Sequence, residues 1–136
     1  MAKAAPKLSI PAPSMIHRRS GANFPGKAYA DVAAFWYDVA AVYGAEIERL
    51  GALGCTYLQL DDTNLAYLCD ETHRENARKR GVDPDATPRA YAALINASLR
   101  EAPADMLRAI HLCRGNFRSS WAAEGGYEPV AEIMFK

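Results

Sequence analysis

The sequence predicts an α/β chain: a parallel sheet of about three strands joined by crossover helices. Three observations lead there. Two stretches repeat apolar residues at helical spacing, shorter stretches alternate as strands do, and the two kinds follow one another along the chain. The polar residues able to carry chemistry fall at the C-terminal ends of the strands, where α/β barrels and open sheets build their sites. A closed (β/α)8 barrel needs eight strands and roughly 250 residues. The 136 residues present are too few to close one.

Lys7-Leu8-Ser9-Ile10 is the first strand, running into a Pro11-Ala12-Pro13-Ser14 turn. From Ala30 to Leu53, Val32, Phe35, Val39, Val42, Tyr43, Ile47, Leu50 and Leu53 recur mostly at three- and four-residue steps, the buried stripe of an amphipathic helix. Gly44 and Gly51 lower its propensity, and Gly54 is its natural stop. Thr56 to Asp61 is a strand with Tyr57, Gln59 and Asp61 on one face and Leu58 and Leu60 on the other. Asp70 to Pro88 reads as a polar loop with an exposed helical turn or more around Thr72 to Lys79.

A second amphipathic helix spans about Pro88 to Glu101, with Tyr91, Leu94, Ile95 and Leu99 as its stripe, Thr87 as N-cap and Pro88 in its first turn. Pro103 ends it. Met106 to Cys113 is the next strand, with Ala109, His111 and Cys113 sharing a face, and Gly115 marks its exit. Tyr127 to Phe135 opens a further helix.

Half of the residues are hydrophobic, and sixteen basic residues balance sixteen acidic ones. That balance leaves no electrostatic footprint for nucleic acid or an anionic membrane. No window approaches the ~18 apolar residues of a spanning helix, and no secretory leader is present, so a cytoplasmic chain is expected. Cys55, Cys69 and Cys113 are too scattered for a disulfide framework, which leaves thiols or metal ligands.

His111-Leu112-Cys113 is the sharpest chemical feature. An i, i+2 pair on a strand points both side chains one way, about 7 Å apart along the backbone, and imidazole with thiolate is a zinc-favouring pair. The same pattern also arises from a buried cysteine beside a hydrogen-bonded histidine. Asp61 ends its strand where a carboxylate could hold a substrate ammonium or act as an acid or base, or else cap the loop. Of Asp61 and Asp62, one is expected to be structural. Arg114, Arg118 and Arg18-Arg19 are candidates for carboxylate or phosphate recognition. His17 reads as a surface histidine, Cys55 and Cys69 as small packed side chains, and Trp36, Tyr37 and Trp121 as packing aromatics.

Together, Ile10-Pro11-Ala12-Pro13-Ser14, Tyr57-Leu58-Gln59-Leu60-Asp61-Asp62 and His111-Leu112-Cys113-Arg114-Gly115-Asn116-Phe117 resemble, in order and spacing, the C-terminal catalytic domain of cobalamin-independent methionine synthases. The likeness runs from about Leu8 to the end and is closest to the short, methionine synthase-like proteins. It implies that residues 1–136 are part of a (β/α)8 TIM barrel domain, lacking its first and last strands. In that family a catalytic zinc is held by a His-x-Cys pair, a Glu on the following strand and a Cys on the last. His111 and Cys113 match the pair, and Lys136 is reached before the two later ligands.

Asp61 resembles the family aspartate that contacts the amino acid substrate, with Asp62 and Thr63 in place of a Glu and a Pro. Tyr67 stands where the family has a folate-contacting glutamate. The resemblance thus implies a zinc-dependent methyltransferase of methionine biosynthesis, moving a methyl group from a 5-methyltetrahydrofolate-type donor to a homocysteine-like thiol. The chain by itself is expected to be inactive. The alternatives are a thiol alkyltransferase with another electrophile, or a non-catalytic remnant whose exposed sheet edges favour self-association.

Overall fold

The computed structural model describes residues 3–19 and 27–135. Strand β1 (Leu8–Pro11) pairs in parallel with β2 (Tyr57–Asp62), which pairs in parallel with β3 (Leu107–Leu112), giving the order β1-β2-β3. Parallel neighbours need long crossovers. The first carries α1 (Met15–Arg19) and α2 (Val32–Ala52); the second carries α3 (Asn64–Tyr67), α4 (Glu71–Lys79) and α5 (Thr87–Ser98). A hairpin of β4 (Asn116–Phe117) and β5 (Ser120–Trp121) follows β3, and α6 (Glu128–Met134) comes last. The parallel three-stranded α/β sheet is therefore as the sequence predicts, with strand limits shifted by a residue or so.

On β2, Leu58, Leu60 and Asp62 are buried while Tyr57, Gln59 and Asp61 are half-buried, the two faces of a pleated strand. Leu58 and Leu60 join Ile47 of α2, Ile95 of α5, Ala12 and Met106 in one core cluster. The second cluster, Leu65, Leu68, Tyr91 and Val130, ties α3, α5 and α6 together, with Leu112 packed against it. Among the described residues, no helix is long and apolar enough to cross a membrane.

Helix α2 starts where the Asp31 carboxylate accepts the Ala34 N–H at 2.8 Å and stops before Gly54, whose φ of +92° suits glycine. Its buried face is narrower than the sequence stripe. Val39 and Ile47 are buried, whereas Val42 is 68% exposed on the flank and Leu53 is 85% exposed beyond the last helical residue. Gly51 is set by close approach, since a Cβ there would stand 2.4 Å from the Pro103 ring.

The α5 cap also differs from expectation. Thr87 lies inside the helix with its hydroxyl donating to the Asp83 carbonyl at 2.6 Å, while the Asp83 carboxylate accepts the N–H groups of Asp85 and Ala86 at 2.8 and 3.3 Å. The N-cap position falls on Ala86, so α5 starts with no side-chain cap; Asp83 instead closes the turn that precedes the helix, as short acidic side chains do when they accept from backbone N–H groups two and three residues on. Neither α3 nor the β4–β5 hairpin is foreseen from the sequence. The hairpin tip puts Arg118 and Ser119 at φ of 53° and 62°, without the Asn-Gly chemistry that normally announces such a turn.

Candidate functional site

The register brings the candidate residues together. Asp61 stands opposite Pro11 on one side and His111 on the other, so the three share one level near the C-terminal end of the sheet. Neighbouring strands lie about 4.8 Å apart, and alternation puts Asp61 and His111 on the same face. The Cys113 N–H donates to the Asp62 carbonyl at 3.0 Å, extending the ladder and returning Cys113 to the face of His111. His111 is exposed and Cys113 half-buried.

Asp61 is half-buried, and its Oδ1 accepts a hydrogen bond from Gln59 Nε2 at 2.7 Å. Gln59 Oε1 in turn accepts from Lys7 Nζ at 2.9 Å. No ion pair joins Asp61 to His111; the ion pairs among the described residues lie on α2, within α4 and between α4 and Asp85.

Asp62 points the other way, fully buried, and accepts from the Ser14 hydroxyl and from the Leu65 N–H at 2.8 Å. Burial pushes its carboxyl up, and the bonds from Ser14, Leu65 and Asn64 pull it partly back. Asn64 Nδ2 donates to the Ser14 carbonyl at 2.6 Å. These bonds lock the β1 and β2 exit loops to one another. Of the two aspartates, Asp62 is therefore the structural one.

The loop after β3 is shaped around the Cys113 sulfur. Gly115 N–H lies 3.3 Å from Sγ and donates to it, which fixes the sulfur's direction. Gly115 has a φ of +74°, and a Cβ on it would stand 2.9 Å from Ala122 Cβ and 3.0 Å from the Tyr67 hydroxyl. Tyr67 thus reaches from the β2 exit to the turn that follows the His-x-Cys pair. Its ring lies against His73 with centroids 4.7 Å apart, and His73 Nε2 sits 2.7 Å from the Ala122 carbonyl, so that nitrogen carries the proton.

Other candidates are not brought to this face. Arg114 turns away, its guanidinium 4.9 Å from the centre of the Tyr127 ring, and Arg118 is exposed at the hairpin tip. The Arg18 and Arg19 side chains lie outside the described residues. His17 is not a surface histidine: it is half-buried, its Nδ1 is 2.7 Å from the Tyr91 hydroxyl, and its ring meets Trp36 edge-on at 5.3 Å. Burial holds its pKa below the usual histidine range, and the Arg80 charge adds to this. Trp36 packs as expected, whereas Tyr37 and Trp121 are largely exposed, because one lies off the buried face of α2 and the other on an outlying hairpin. Cys55 lies at the opposite end of β2, and Cys69 packs against the second cluster with its thiol donating to Leu65 O.

As metal donors, His111 and Cys113 have the right chemistry and share a face, and a zinc site needs four donors. Among the described residues, no three His, Cys, Asp or Glu side chains gather as a metal site. The pair fits half of a coordination sphere. The sequence alone missed Lys7, because its role depends on the β1–β2 register, which no single strand reveals.

No protein-family model matches the chain. Two Bacillus subtilis proteins, the uncharacterized YxjH and YxjG, are 41% and 38% identical to it over 96% and 97% of its length. The chain spans about a third of each, 34% and 35%. A crystal structure from Listeria monocytogenes, provisionally described as a vitamin-B12 independent methionine synthase, superposes with a TM-score of 0.66 at 34% identity. The match covers 86% of this chain and 34% of that one.

Proposed function

We propose that this chain carries part of the catalytic barrel of a zinc-dependent thiol methyltransferase of the cobalamin-independent methionine synthase family. The carrying observation is the juxtaposition of Asp61, His111 and Cys113 on one face at the strand ends. The 34% identity to the Listeria monocytogenes structure supports it. On this reading His111 and Cys113 are two of the ligands of a zinc ion, and the remaining donors come from outside the described residues. When bound, zinc supplies a Lewis acid that lowers the pKa of a coordinated substrate thiol, making a thiolate able to attack an activated methyl group. Asp61 holds the ammonium of a homocysteine-like substrate, and the Gly115 N–H keeps the Cys113 sulfur aimed at the shared face.

One observation favours a different electrophile from methyl-folate. Tyr67, not a carboxylate, reaches the Gly115 turn. A thiol alkyltransferase acting on another activated carbon uses the same His-x-Cys pair and the same thiolate. Zinc K-edge absorption of the zinc-saturated chain tests the common core of both readings. One sulfur ligand is expected, from Cys113, rising to two with L-homocysteine. A sulfur count that L-homocysteine leaves unchanged would remove substrate-thiol coordination from the account.

A further inference from the structure

The Asp61 carboxylate is engaged on one side only. Oδ1 accepts from Gln59 Nε2 at 2.7 Å, whereas no hydrogen bond or ion pair to Oδ2 is formed among the described residues. Gln59 is itself held at both ends, because its Oε1 accepts from Lys7 Nζ at 2.9 Å. An ammonium only donates and a carboxylate only accepts, so the amide between them has one satisfactory orientation. The run Lys7, Gln59, Asp61 therefore has a fixed polarity, with a cation at its start and a carboxylate at its end. Lys7 precedes Leu8, which pairs with Leu58, so the run spans two strands and depends on their register.

Resting on the proposed function, we infer that Lys7 and Gln59 are positioning residues that fix the Asp61 carboxylate with Oδ1 occupied and Oδ2 presented to the ammonium of an α-amino-acid thiol. An unanchored aspartate turns its carboxylate freely and divides its hydrogen bonds between water and ligand. With Oδ1 tied down the strand, rotation about the terminal torsion is restricted, and the ammonium meets an acceptor already aimed. A glutamine spanning two partners also loses the side-chain freedom that a free glutamine keeps, and Lys7 helps to hold it. The anchor adds to the preference for the amine-bearing thiol of the proposed function over the same thiol without the amine. Lys7 and Gln59 touch no reacting atom on this reading.

The test compares L-homocysteine with 4-mercaptobutyrate, which lacks the amine, as probes titrated into the zinc-loaded full chain and followed by NMR. The quantity read is the ratio of the two dissociation constants, which a merely structural role for Lys7 or Gln59 does not move. The wild type is expected to favour L-homocysteine about tenfold or more, in line with a charge-assisted hydrogen bond. Asp61→Asn is expected to abolish the preference. Gln59→Leu and Lys7→Met are each expected to reduce it several-fold while leaving 4-mercaptobutyrate binding unchanged, and Lys7→Arg to restore it.

If Gln59→Leu and Lys7→Met keep the full preference while Asp61→Asn loses it, the positioning role is overturned and the ammonium subsite stands. If the wild type shows no preference, the subsite fails and the positioning role fails with it. Amide spectra of each variant, overlaid on the wild type, separate misfolding from loss of the anchor. A Gln59→Leu chain that is unfolded leaves Lys7→Met, at a more exposed position, to decide the matter.

Discussion

At the scale of single residues, Asp61 and Asp62 show how one step along a strand changes a carboxylate's work. Asp62 faces the core, where it accepts from Ser14 and from the Leu65 N–H that opens α3. Replacing it with Ala removes both bonds and leaves the Ser14 hydroxyl buried without its acceptor, a cost of about 1–3 kcal/mol. Chemical denaturation will read this as a lower midpoint at unchanged slope, whereas Asp61→Ala is expected to stay within about 0.5 kcal/mol of wild type.

His17 supplies a pH prediction. Its folded-state pKa is lowered by burial, so its contribution to stability is present above the unfolded value of 6.5 and is lost as pH falls through the lower folded value. Melting temperatures taken from about pH 7.5 to about pH 5 should fall less steeply for His17→Gln than for wild type. Parallel slopes would show that the histidine is not buried against Trp36 and Tyr91.

At the scale of elements, α2 tests which part of an amphipathic pattern is buried. Ile47→Ala should cost about 2–5 kcal/mol, and Val42→Ala should stay within about 0.5 kcal/mol, although the two share one sequence stripe. Gly125→Ala should destabilise by about 1–3 kcal/mol, because its φ is +102° and the new Cβ would meet the Cys69 carbonyl at 2.3 Å.

The elements themselves were largely legible in the sequence. Strict alternation in Tyr57 to Asp61 fixed both the strand and its faces, and helical spacing around Tyr91, Leu94 and Ile95 fixed α5. The rest was hidden for physical reasons. Four-residue α3 is barely one helical turn, too short for its apolar spacing to repeat, and the hairpin turn at Arg118-Ser119 lacks a glycine. The N-cap position of α5 fell on Ala86, one residue before the threonine that the local pattern favoured, because the turn closed by Asp83 leads directly into the helix. The His-x-Cys pair was visible as spacing, but its alignment with Asp61, and the run from Lys7 through Gln59, exist only once strands far apart in sequence are in register.

At the scale of the whole molecule, β1 and β3 are the open edges of the three-stranded parallel sheet among the described residues, and parallel sheets are normally covered on both faces. Leu107 and Ile110 are exposed on β3, and a cavity of about 180 Å³ beside it is lined by Leu60, Leu65, Ile95, Leu99, Ile110 and Met134. With a formal net charge of zero, charge repulsion does not oppose association. Self-association that grows with concentration is therefore expected, and Ile110→Lys should weaken it. Light scattering that finds the same monomer for both chains at every concentration would contradict this.

The central claim, that His111 and Cys113 belong to one zinc site, is tested most directly by calorimetric zinc titration of the reduced chain beside His111→Asn and Cys113→Ser. Complete four-donor sites reach roughly 10–16 kcal/mol, and two donors hold far less. The account predicts about one zinc per chain with a dissociation constant on the order of micromolar to millimolar, lost in both variants. Zinc binding that survives both substitutions, or none in the wild type at millimolar zinc, would contradict it.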